Sequence, residues 1–438
     1  MKRKYYRNWP LFLAVALGSV SVLPAMGREP QSGLVTNSLT LEGAIRLALE
    51  SNPQLRAAKS QIDSAAGRAY QSKLWSNPEL ELSAEDWPTG GGGFTDAKKL
   101  VGVSQTVPFP GKKKFDGRIG SLGVRVSEAE YSVRQVELVR EVKTAFFEML
   151  AAGRLVEVAR ELVAVSESSA TAARKRVQAG AAADQEQLRA EIPLEEARAE
   201  LAGFEREQEI SRQKLAMLLG RPDLQAAPVS GALAETANLS LLQDGPSQWL
   251  ARHPSVLAAR ASKERAEAES RRARLEPYPD VKLGAAGGQE AGGAGSIIQF
   301  MLTVPMPIID RSKGRKQEAQ ANVSVAEAEL AAVEQRLLRD WRMASQRLRT
   351  AVEQVANYRE RILPRANEAL RLVQRGFEEG KFGFIDLLDT QRTAAQVRLA
   401  YQQKLLELNI AAADIEALLG RVPSQAMPAE TIPHQTKE

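Results

Sequence analysis

The residues that most often carry catalysis are scarce in this chain of 438 residues, which has two histidines, His253 and His434, and no cysteine. His253 precedes Pro254 at a helix break, and His434 lies in a polar C-terminal stretch. No nucleophile has a nearby base, and no residues follow the spacing of a zinc site. The Gly90 to Gly93 run joins two strand-like segments and does not open a helix, so it is no phosphate cradle. The pattern excludes an enzyme, a bound cofactor and a resident metal. What remains is carboxylate chemistry behind two glycines. Glu186 follows Gly180 at the same spacing at which Asp386 follows Gly380, and Asp389 lies one helical turn further on. At the start of a helix such charges favour the macrodipole without any further role.

The elements that position these residues occur twice. Leu-Leu-Gly-Arg closes a helical stretch at Leu218 to Arg221 and again at Leu418 to Arg421. Asn52-Pro53 returns as His253-Pro254, Asn77-Pro78 as Tyr278-Pro279, and Val107-Pro108 as Val304-Pro305. The offset far exceeds a solenoid repeat, so each copy must hold several elements that pair with the other copy.

Composition sets the compartment. Lys2, Arg3, Lys4 and Arg7 precede an apolar run from Leu11 to Leu23 and small residues at Ala25 and Gly27, the pattern of a cleaved export signal over residues 1–27. The run is shorter than the roughly 20 residues of a spanning helix. Without cysteine, the chain is held neither by disulfides nor by a lipid on cysteine. Aromatics make up 5% of residues, and Ala, Glu, Arg, Leu and Gln fill long tracts, as in extended helices. The net charge of +5 comes from Lys and Arg interleaved with Glu, a solvated helix surface and not a nucleic-acid footprint.

Each copy reads as helix, two strands, two helices. The first repeat covers 28–230, with strands at 78–87 and 99–108 and long helices at 112–178 and 184–220. The second covers 231–422, with strands at 279–287 and 296–305 and long helices at 311–376 and 383–420. Pro364 is expected to kink its helix. Residues 423–438 form a polar tail expected to be disordered. Leu330, Val333, Leu337, Trp341, Ala344 and Leu348 step by three and four, a coiled-coil seam that must be buried against neighbours. Strands with one apolar face in an exported chain fit an outer-membrane barrel. Four strands cannot close, and open edges in lipid leave backbone groups unpaired. Closure then needs other chains, and three copies make about twelve strands and an aqueous lumen. A small soluble sheet beside a periplasmic coiled-coil scaffold is the alternative on pattern alone.

The chain resembles the TolC-like outer-membrane efflux proteins over nearly all its mature length. The likeness rests on Leu41-Glu42-Gly43-Ala44-Ile45, Leu49 to Pro53, Gln105 to Lys113, Ile362-Leu363-Pro364 and Gly380 to Thr390. The Pro110-Gly111-Lys112-Lys113 segment resembles the CzcC-like heavy-metal branch. This resemblance implies a mainly α protein with a membrane β-barrel. It implies a homotrimer whose twelve-strand barrel continues into a twelve-helix tunnel across the periplasm. It further implies a passive exit duct for an inner-membrane RND pump and a periplasmic adaptor, with type I protein secretion as the alternative use. Glu186, Asp386 and Asp389 match the family's acidic entrance, about nine carboxylates in a trimer that would raise the local cation concentration. Phe382 stands where some members place a basic gate residue, so an aromatic constriction replaces a salt-bridge lock. Ala179, Gly180, Gly376, Glu379, Gly380 and Lys381 are the expected adaptor-contact tips.

Overall fold

The computed structural model describes residues 38–86, 94, 96–226, 228–242 and 245–420. The expected export signal and C-terminal tail lie outside the described residues. The chain opens with α1 (Leu41–Ser51) and α2 (Pro53–Lys73), separated by one residue, Asn52. Pro53 cannot donate to α1, but its fixed φ suits the first position of α2. Asn52 Oδ1 caps α2 by accepting from the Gln54 and Leu55 amides at 2.9 and 3.1 Å. Strands β1 (Glu79–Glu85) and β2 (Lys98–Val107) follow, then α3 (Lys112–Gln178) and α4 (Asp184–Leu218). The 67 residues of α3 make a rod of about 100 Å.

The second repeat retraces this course through α6 (Pro254–Ala273), β3 (Val281–Gln289), β4 (Ser296–Thr303), α7 (Lys313–Asn357), α8 (Leu363–Glu378) and α9 (Phe384–Leu418). Between the repeats run short 3-10 turns and the single-turn α5 (Pro246–Trp249), too short for periodicity to show. The helix expected over 311–376 is two helices joined by a π turn at Tyr358–Ile362. Its cause is Pro364, whose ring clashes with the carbonyl four residues back and whose missing N–H cannot make the α-helical bond to that carbonyl. Pro193, by contrast, sits inside α4 without interrupting it.

In each repeat the return helix ends against the start of an upper helix. Asn52 Nδ2 donates to the Leu218 carbonyl at 2.8 Å, so α4 and α2 meet end to end. A Cβ on Gly220 would lie 2.5 Å from the Ser51 carbonyl oxygen, which makes glycine obligatory there. His253 plays the part of Asn52 in the second repeat, its Nδ1 accepting from the Ser255 amide at 3.1 Å. Gly420 packs against Pro254 and His253. Burial holds the His253 imidazole below its usual pKa, its cost to the charged form outweighing the backbone hydrogen bond with Ala417 that favours it.

The main apolar clusters lie between the helices. Ile45, Leu138, Val142, Phe146, Leu215 and Leu219 join α1, α3 and α4. Leu348, Val355, Tyr401, Leu408 and Ile415 join α7 and α9, with Leu233 of the inter-repeat strap on top. Asn409 fixes that strap by accepting from the Ala234 amide and donating to its carbonyl, both at 3.0 Å. Burial and a hydrogen bond to Glu235 of the strap push the Tyr401 hydroxyl up to about 12.

Candidate functional site

The helices turn back twice at the end away from the sheet. At the first turn the Gly180 amide donates to the Val177 carbonyl and the Ala181 amide to the Arg176 carbonyl, both at 2.9 Å. At the second, Gly380 donates to Phe377 at 3.0 Å and Lys381 to Gly376 at 2.7 Å. Both are Schellman caps, and Gly180 and Gly380 hold φ of 71° and 74°, where a Cβ would be strained. The two turns share one apolar cluster, in which Ala170, Ala173, Ala190 and Leu194 of the first repeat surround Phe384 of the second. Phe377 and Phe384 bring their rings to 5.9 Å. The tertiary fold thus places both sets of sequence-expected tip residues together.

Their side chains do different things. Glu186 is half-buried, and its Oε1 lies 3.2 Å from Arg176 Nη1 across the first turn. Asp386 and Asp389 are exposed. Asp386 Oδ2 accepts from the Gly383 amide at 2.9 Å and so caps α9. Asp389 makes no ion pair among the described residues. Lys381 folds back on Glu379 at 2.6 Å, with both side chains largely in solvent. Phe382 lies over Gly376: a Cβ there would come within 2.2 Å of the ring. Sequence reasoning did not foresee that contact or the Arg176 tie to Glu186, although Gly376 one turn before the tip was its available signal.

At the other end, the strands run in the order β1-β2-β3-β4, every pair antiparallel. The register Leu82↔Val101, Val103↔Ala285 and Ala285↔Phe300 puts Leu80, Leu82, Val101, Val103, Leu283, Ile298, Phe300 and Leu302 on one face. All eight are exposed, and together they form an apolar surface that no described residue covers. The opposite face carries Glu79, Glu81, Ser104 and Lys282. Lys282 Nζ bridges Glu81 at 2.7 Å and Glu79 at 2.9 Å, and Ser104 Oγ donates to Glu81 at 2.7 Å. An apolar face backed by a polar one is the pattern of a membrane barrel wall. Glycine admits the close approach of β2 and β3, since a Cβ on Gly288 would fall 1.7 Å from the Lys99 carbonyl oxygen. Strands β1 and β4 are edges.

A membrane sheet on a long helical hairpin pair, with acidic tips, defines a channel wall and not a catalytic centre. The chain belongs to the outer membrane efflux protein family, whose sequence model matches residues 44–221 and again 245–421, once per repeat. It is 30% identical over 432 residues to the cobalt-zinc-cadmium resistance protein CzcC of Cupriavidus metallidurans, covering 94% of this chain and 99% of that one. It is 26% identical to the outer membrane protein OprJ of Pseudomonas aeruginosa, across 87% and 84% of the two chains. In fold it matches the CmeC outer membrane channel of Campylobacter jejuni with a TM-score of 0.77 at 15% identity, covering 87% of this chain and 85% of that one. The protein is therefore an outer-membrane efflux channel that extends into the periplasm, not an enzyme.

Proposed function

We propose that this chain is the exit duct of a tripartite heavy-metal efflux system, receiving divalent cations from an inner-membrane RND pump through a periplasmic adaptor. The observation that carries the reading is the similarity to CzcC along almost the whole of both chains. Three copies close the duct. Within one protomer the sheet has β1 and β4 as edges. The helices follow the same order, since α4 packs on α3, α3 on α9 and α9 on α8, which leaves α4 and α8 at the borders. A head-to-tail ring pairs each second-repeat edge with the first-repeat edge of the next copy. Leu188 and Ile192, exposed one turn apart on α4, and Leu372, exposed on α8, supply apolar surface for that seam.

At the entrance, Asp386, Asp389 and Glu186 of three copies form the acidic ring that draws cations. Phe382 narrows the opening beside them. The Schellman turns, with Ala179, Gly180, Gly376, Glu379, Gly380 and Lys381, meet the adaptor, because rigid exposed turns suit tip-to-tip packing. The chain only conducts, and the pump selects the metal. The test is a strain lacking this chain, assayed for growth on cobalt, zinc and cadmium salts and on a panel of drugs. Metal sensitivity of the strain, with tolerance restored by the plasmid-borne protein, is the expected result. Sensitivity to drugs with unchanged metal tolerance would replace the metal assignment.

A further inference from the structure

The two strand-to-helix connectors are counterparts in sequence and opposites in packing. In the first repeat, the connector after β2 is seated on the residues that lead into β3. The Phe109 ring stacks on Tyr278 at 4.7 Å. The Phe109 amide donates to Asp280 Oδ1 at 2.8 Å, and Lys112 Nζ pairs with the same oxygen at 2.8 Å. Leu275 closes the joint near Gly111. In the second repeat, the connector after β4 touches nothing comparable. Residues 304–311 are exposed throughout, Met306 to 76%, Ile308 to 67% and Ile309 to 98%. The segment that would receive it by analogy, residues 74–78 ahead of β1, is equally bare, with Leu74 at 40% and Trp75 at 57% exposed.

Two unfilled halves of one contact thus sit at the two edges of the same sheet. Met306 corresponds to Phe109, and Asn77 to Tyr278, through the matched Val-Pro and Pro pairs. Exposed apolar side chains of this size at the end of a sheet edge call for cover. We propose that the Val304 to Arg311 connector of one copy seats on Leu74 to Pro78 of the next copy, repeating between chains the joint that Phe109 and Tyr278 make within one. The partner is a second copy of this chain, and the inference rests on the trimeric reading above. In the ring, Met306, Ile308 and Ile309 cover Leu74 and Trp75 where barrel passes into tunnel. The joint then recurs six times around the axis, three times within chains and three times between them.

The chain contains no cysteine, so paired cysteines report on this contact without background. The double variant Asn77→Cys with Met306→Cys, oxidised in outer-membrane vesicles, should run on a denaturing gel as two-chain and three-chain species. Phe109→Cys with Tyr278→Cys calibrates the geometry: it should lose free thiols at single-chain mass. Native mass in detergent is measured in parallel. A three-chain native mass, with the calibrating pair closed and the Asn77/Met306 pair open, overturns the joint and leaves the trimer standing. A single-chain native mass overturns both.

Discussion

The two repeats are alike where the backbone has to be satisfied and unlike where side chains meet solvent. Both hairpin tips end in the same Schellman cap with glycine at a left-handed φ. Both end-to-end joints are capped by a side chain ahead of proline, Asn52 in one and His253 in the other. Yet the first tip pairs Glu186 with Arg176, while the second leaves Asp386 and Asp389 in solvent and folds an aromatic ring over Gly376. Duplication kept the hydrogen-bond solutions, which admit few residue types. It left the tip side chains free to diverge, because exposed side chains are not fixed by a backbone partner.

The sharpest break in the symmetry lies at the joints. Gly220→Ala puts a Cβ 2.5 Å from the Ser51 carbonyl oxygen at φ 65°, whereas the atom nearest a Gly420→Ala Cβ is Pro254 Cδ at 3.1 Å, at φ 67°. Both carry the left-handed penalty of about 1–2 kcal/mol. The first adds an overpacking cost of about 1–3 kcal/mol, since the obstacle is backbone. Melting of the detergent-solubilised protein should therefore fall further for Gly220→Ala than for Gly420→Ala, and equal losses would mean that Ser51 can yield.

The two caps differ in their response to pH. Asn52 does not titrate. His253 accepts a hydrogen bond at Nδ1 only while neutral, and its folded pKa is depressed by burial. A depressed folded pKa means that the unfolded chain binds the proton more readily. The cap's contribution, about 1 kcal/mol, is then intact above the unfolded value of about 6.5 and is lost as pH falls through the folded one. His253→Asn should flatten that acid limb of a melting-versus-pH curve while leaving stability near pH 8 almost unchanged.

The tips should separate in conductance. Asp386→Asn with Asp389→Asn is expected to lower cation selectivity, read as a shift of reversal potential across a planar bilayer under a salt gradient. Glu186→Gln should shift it less, because Arg176 already offsets that charge. A larger shift from Glu186→Gln would mean that the Arg176 pair opens in the trimer. The smallest effect is expected from Phe382→Ala, about 1 kcal/mol or less of stability from uncovering Gly376, since the ring is 45% exposed. A wider single-channel conductance in that variant would assign the ring to the constriction.

Several features were legible in the residues themselves. Proline pairs, the Leu-Leu-Gly-Arg endings and period-two alternation mark the repeat, the strands and the helix ends, because each is dictated by backbone geometry within a few positions. The length of α3 was legible for the same reason, as no proline interrupts it. The π turn was legible only as a kink at Pro364, since whether a helix bends, breaks or widens there depends on what packs beside it. Pro193 shows this, lying inside α4 without a break. The Arg176 tie to Glu186 crosses a turn between two helices, and spacing along one helix does not reveal it.

Sequence by itself determined an exported, duplicated, helix-dominated chain with four amphipathic strands and carboxylates behind a glycine turn, because periodicity and turn chemistry are local. Only the tertiary structure decided that Asn52 and His253 seat on the ends of α4 and α9. It alone set the sheet order that leaves β1 and β4 as edges, and showed one connector covered while its counterpart is bare. Those facts depend on which distant segments bury each other's surface, and no spacing along the chain encodes that.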